Sequence, residues 1–148
     1  MSKSDTFEYQ FERLIFNGIA ISTLAATAGT TQLWMGLHTA DPGDAGSTAA
    51  EGGYAQYTRV ATDRSSGAAG WAVTSGTSNA NASASPVGTV SLPQNTSTST
   101  GTFTHGSVWM SSNISSSGLI YSGTLSPVIN FSQNVTPQIT TGSSITED

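Results

Sequence analysis

From Ser65 to Thr146, more than half of the 148 residues, the chain carries no Asp, Glu, Lys or Arg. His105 and Tyr121 are the only titratable side chains in that run. General acid–base catalysis, hard-metal binding and phosphate recognition all draw on charged side chains. The run therefore excludes most reactions before any fold is considered. What it does contain is Ser, Thr, Gly and Asn, with apolar residues at intervals. Such a segment must fold by hydrogen bonding and apolar burial, and its outer surface is neutral. That surface suits packing against other protein, in an ordered array of copies.

Composition narrows the class further. Ser and Thr make up nearly a third of the residues and charged residues only 9%, against roughly a quarter in an average soluble domain. Disorder is not the consequence, because disordered chains combine high net charge with few aromatics. Here three Trp, four Tyr and five Phe are spread along the sequence. There is no Cys, which removes disulfides, zinc–thiolate sites and thiol nucleophiles together. The net charge is −5 with four scattered cations, so the basic stripe that nucleic-acid binding requires is missing. No apolar run approaches the length of a membrane-spanning helix.

The pattern predicts one domain over 1–148, with an N-terminal helix over 5–24 and a β domain over 31–148. In the first segment Phe7, Phe11, Leu14, Ile15 and Ile19 recur at helical spacing, and Asp5 with Glu8 approximates a capping box. Beyond Gly29 the period changes. Residues 31–39 alternate as a strand, with Leu33, Met35 and Leu37 on one face. Ala40–Gly46 is a turn, in which Pro42 fixes φ and Gly43 supplies a positive φ. Further strands are predicted over 54–61, 71–73, 86–93, 102–110, 119–125 and 128–131, the last two divided by Ser126-Pro127, with a closing strand within 135–145. Residues 75–85 and 94–100 are predicted as loops. Seven to eight short strands with turn signals between them predict an all-β antiparallel sandwich or barrel.

The candidate chemistry is thin. His38 and His105 are the only histidines, and each sits in a strand, where a half-buried ring with a hydrogen bond is expected. A Ser/His/Asp triad could be assembled only because Ser is everywhere, and no Gly-x-Ser-x-Gly elbow is present. Asp41 and Asp44 flank Pro42-Gly43, but turn chemistry accounts for both. No catalytic, cofactor-binding or metal-binding residue is assigned. The aromatics, including Trp34, Tyr54, Tyr57, Trp71, Phe103 and Trp109, read as core, with sugar stacking as the alternative.

Several segments together resemble a known family. They are Phe11–Asn17, Leu37-His-Thr-Ala-Asp-Pro-Gly-Asp-Ala-Gly46, Tyr57-Thr-Arg-Val-Ala61, the Thr104-His105-Gly106 region, Leu119–Leu125 and the terminal Ile145-Thr-Glu-Asp148. This set resembles small structural proteins of tailed bacteriophages, either head decoration (minor capsid) proteins or tail-fibre-like proteins. The resemblance implies a non-enzymatic virion component without cofactors. On that basis the expected role is capsid decoration: binding the major capsid protein lattice as a homotrimer, with Phe7, Tyr9 and Phe11 as partner-binding residues. No nucleic-acid or membrane partner is expected. The alternative is a tail-fibre-like protein that contacts host surface glycans.

Overall fold

The two longest strands among the described residues pair with each other within the largest sheet. A computed structural model describes residues 32–74, 83–115 and 118–146, together with Ser2, Lys3, Phe7, Gln10, Phe11, Asn17 and Ile21. Its central hairpin is β7 (Gly101–Trp109) and β8 (Leu119–Phe131), antiparallel, with Gly118 at φ 122° immediately before β8. On the far side of β7 lies β2 (Gln32–His38), then β3 (Val60–Asp63). The short β1 (Ser2–Lys3) pairs with β8 at Ser122 and Tyr121. The five-stranded order is β1-β8-β7-β2-β3, antiparallel throughout.

Two smaller sheets accompany it. One has the order β10-β5-β4, built from β4 (Trp71–Thr74), β5 (Ser83–Pro86) and β10 (Ile145–Thr146). The other pairs β6 (Val90–Ser91) with β9 (Gln138–Ile139). The antiparallel all-β expectation is met, with ten strands among the described residues. The sheets are open, and the five-stranded order ends on two different edge strands, so the barrel alternative is set aside. The helix expected over 5–24 falls, apart from isolated positions, outside the described residues.

Three local expectations are corrected. The strand expected over 54–61 starts only at Val60. Tyr54 and Tyr57 instead form a turn, with the Tyr57 amide donating to the Tyr54 carbonyl at 3.1 Å, and both rings enter the core. The loop expected over 75–85 contains the start of β5, whose Ser and Ala residues carry little apolar signal. The two strands expected on either side of Ser126-Pro127 are one strand. The register passes from His105 opposite Thr124 to Phe103 opposite Ile129, so residues 125–128 of β8 bulge against Thr104 alone. A proline fits in a bulge because no ladder bond is asked of it.

The main core is aromatic. Phe103 has no exposed surface, and its ring centroid lies 4.6 Å from that of Phe131, 6.1 Å from Tyr57 and 6.4 Å from Tyr54. Met35, Leu37, Val90, Leu92 and Ile139 close around them, so β2, β6, β7, β8 and β9 meet in one cluster. Phe131 fits only because two neighbours lack side chains. A Cβ on Gly53 would strike its Cζ, and one on Gly101 would come within 2.6 Å of the same atom. A second cluster, of Val108, Ile120 and Ile145, joins the five-stranded sheet to the three-stranded one, with Trp71 and Phe7 packed against it.

Truncating Phe103 to Ala removes the ring on which Tyr54, Tyr57 and Phe131 lean. The expected cost is about 3–5 kcal/mol of folding stability, measured as a fall in the urea midpoint at unchanged slope.

Candidate functional site

A sheet edge must be paired or covered, and β2 is paired with β3 only from Gln32 to Met35. Beyond that point the 39–59 loop takes over. The Leu37 amide donates to Tyr57 Oη at 2.8 Å, Gly52 N donates to the Leu37 carbonyl at 3.0 Å, and Thr39 N donates to the Ala50 carbonyl at 2.9 Å. His38 forms an isolated antiparallel bridge with Glu51. The loop thereby carries Glu51 and Arg59 onto the face of the sheet that holds Gly36, Ser107 and Trp109.

There the protein buries its charge. Arg59 is 3% exposed, and its Nε and Nη2 donate to the two Glu51 oxygens at 2.6 and 2.7 Å. Its Nη1 donates to the carbonyls of Ser111 and Asn113 at 2.9 and 3.0 Å. The guanidinium lies 3.6 Å above the centre of the Trp109 ring, a desolvated cation–π contact. Tyr57 Oη donates to Glu51 Oε1 at 3.2 Å. Burial, together with the Glu51 charge, raises the Tyr57 pKa well above the usual phenol range, so the hydroxyl keeps its proton.

The network continues on the other side of Trp109. The indole Nε1 donates to Ser107 Oγ at 2.6 Å, and Ser107 Oγ lies 2.6 Å from His38 Nε2. His38 has no exposed surface and stacks against Trp109 at 6.2 Å. Its Nδ1 has no hydrogen-bond partner among the described residues. Burial lowers its pKa to about 4, and the nearby Arg59 and His105 push it the same way. The expectation of a half-buried histidine holds for His105, which faces His38 across the β2–β7 ladder and bonds through Nδ1 to Thr104 Oγ1 at 2.9 Å. His38 is buried outright.

A serine 2.6 Å from a histidine invites comparison with a nucleophilic pair, and the surroundings oppose it. Ser107 has no exposed surface, its oxygen is held by the indole, and among the described residues no carboxylate meets His38 Nδ1 to orient the ring. Gly36 leaves no room for a substrate either. A Cβ there would come within 2.8 Å of Ser107 Oγ and 2.9 Å of a Glu51 oxygen. Asp41 of the following turn serves the backbone, as expected. Asp41 Oδ1 accepts from Gly43 N at 2.8 Å, with Gly43 at φ 62°. Gly46, at φ 70°, sits against Leu119 and the Trp109 ring. Among the described residues no three His, Asp or Glu gather as a metal site.

Two surface features remain. An open groove of about 630 Å³ lies between the larger sheets, with Val108, Ile120 and Tyr121 on one wall and Trp71, Val73 and Ile145 on the other. Phe7 packs beside it, 6.0 Å from the Tyr121 ring and 6.5 Å from that of Phe11, which is 43% exposed. Tyr9 lies outside the described residues. The second feature is the 94–100 loop that follows β6, where the sequence predicts a loop. Its centre is Asn95, fully buried. The Asn95 amide donates to Val135 O at 2.9 Å, and its carbonyl accepts from Asn134 N at 2.7 Å. Its Nδ2 donates to Ser99 O at 2.7 Å, and its Oδ1 accepts from Ser97 N and Ser97 Oγ. The Asn95-x-Ser97 spacing was the available signal, since Asn side chains cap the amide two residues on.

With this geometry in place, comparison with known proteins decides the family. The family described as podophage GP4 fiber I protein gp80 matches residues 6–146. This chain belongs to that family. No curated protein matches it. The gp80 fibre family consists of tailed-phage virion proteins, so the resemblance to a phage structural family holds. The buried network gives that resemblance a physical basis. Its strongest motif, Leu37–Gly46, supplies His38 and the turn that lands on Trp109, and its Tyr57–Ala61 motif supplies Tyr57 and Arg59. In this gp80 family chain, those motifs build the clamp between loop and sheet.

Two outcomes test the clamp. Arg59→Met leaves Glu51 buried and unpaired, and is expected to cost about 3–5 kcal/mol in a urea titration. Acid should weaken the fold through His38. The neutral ring of the folded state has a pKa near 4, against 6.5 unfolded. The unfolded state therefore takes up the proton first, and stability falls as pH drops from about 6.5 to about 4. The fall is about 3 kcal/mol from this group alone. Urea midpoints across that range should be flatter in His38→Gln.

Proposed function

We propose that this chain is a non-enzymatic fibre subunit of a podophage virion, working in the apparatus that meets the host surface. The observation that carries the reading is the match of the fibre I family to residues 6–146. The buried state of Ser107 and His38 supports a non-enzymatic role, because this serine–histidine pair is spent on packing. The neutral surface from Ser65 onward supports repeated association between copies of the chain.

The fibre reading takes precedence over the capsid decoration expected from the sequence, because the family description names a fibre. On this reading the partners are further copies of the chain and the host surface, in place of the major capsid protein. We retain the homotrimer as the proposed assembly. The N-terminal aromatics Phe7, Tyr9 and Phe11 are its proposed partner-binding residues.

Electron microscopy of purified particles labelled with an antibody to this chain tests the assignment. Label confined to the tail region is the expected result. Label spread over the head shell would return the chain to capsid decoration.

A further inference from the structure

We propose that the loop platform fixed by Asn95 is a binding surface for neutral saccharide. This rests on the fibre reading and gives it a site and a ligand class.

The first argument is preorganisation. A fully buried Asn is retained only when its polar groups are satisfied, and every one of them in Asn95 is spent on holding two loops, 94–100 and 132–136, in one shape. Further bonds tie the loops to their surroundings. Gln94 Nε2 donates to Asn134 O at 3.0 Å, Thr96 N donates to Gln56 Oε1 at 3.2 Å, and Leu92 N donates to Pro137 O at 2.9 Å. Asn134 holds a left-handed conformation at φ 64°, one of the few that a non-glycine residue adopts with positive φ. Backbone order of this kind lowers the entropy lost when a ligand is bound.

The second argument is what the platform presents. Thr96, Thr98, Gln133, Asn134 and Thr136 are exposed, and their side chains make no hydrogen bond among the described residues. They are amides and hydroxyls, each able to donate and accept. Sugar hydroxyls have the same dual capacity. There is no charged side chain between Ser65 and Thr146, so nothing on the platform compensates a carboxylate, sulfate or phosphate. An acidic polysaccharide would also meet a chain of net charge −5. The platform therefore selects for neutral glycan. Its contacts are hydrogen bonds without aromatic stacking, because Tyr54, Tyr57, Phe103 and Phe131 are all buried in the core beneath. Each copy binds weakly, and a particle carrying several copies gains by avidity.

The test is an amide-resolved NMR titration of the full chain. The probes are neutral gluco-, manno- and galacto-oligosaccharides, with a hyaluronan oligosaccharide as the acidic contrast. The expected result is shifts confined to residues 94–99 and 132–136 with at least one neutral sugar and none with hyaluronan. Asn134→Gly keeps the left-handed backbone while deleting the amide, and Thr98→Ala deletes a hydroxyl. Each should weaken binding by about five- to tenfold, with the spectrum elsewhere unchanged. Absence of shifts with every neutral sugar, equal binding of hyaluronan, or shifts centred on Trp71 and Tyr121 would each overturn the site. The antibody-labelling experiment reads the fibre assignment independently, so failure of one is distinguishable from failure of the other.

Discussion

One buried ion pair organises the molecule. Arg59 and Glu51 come from a loop that has little regular structure of its own, and both side chains are fully withdrawn from water. A bare pair would scarcely repay its desolvation. This one is supplemented on every side: two backbone carbonyls on Nη1, a tyrosine hydroxyl on the carboxylate and an indole face beneath the guanidinium. The consequence is positional. The pair fixes the 39–59 loop onto the five-stranded sheet, covers the part of β2 that β3 leaves open, and places Tyr54 and Tyr57 in the aromatic core. The fold thus uses a buried ion pair where a loop must be held to the sheet, and leaves the run from Ser65 to Thr146 to neutral contacts.

Much of the β architecture was legible in the sequence because alternation is a local signal. Leu33, Met35 and Leu37 marked β2, and the 102–110 pattern marked β7 to within a residue. The Asp41-Pro42-Gly43 turn was legible for the same reason, since its chemistry is contained in three adjacent residues. The misses came where tertiary contacts outvoted local preference. Pro127 reads as a break until the bulge opposite Thr104 is known. Tyr54 and Tyr57 read as strand until their rings are seen filling one pocket three residues apart.

The candidate site was less legible, for a physical reason. Arg59 and Glu51 are ordinary surface residues by type, and nothing in their spacing announces that both are buried. Ser107 was one serine among many until the fold set it between His38 and Trp109. Asn95 was hidden in a run of Ser and Thr that looks featureless as composition. The residues alone do not separate a fibre from a head-shell protein, because both can present neutral β surfaces.

The β7–β8 hairpin has a further mechanical meaning. β8 runs for 13 residues beside the nine of β7, whereas β6 and β9 pair over two residues each. A pull along the axis of the long pair loads its rungs in parallel, so they must rupture together. A pull on the short pair unzips it rung by rung. If tension enters through the long ladder, the domain behaves as a stiff link, whereas tension on the short ladder reaches the core directly through Val90 and Ile139.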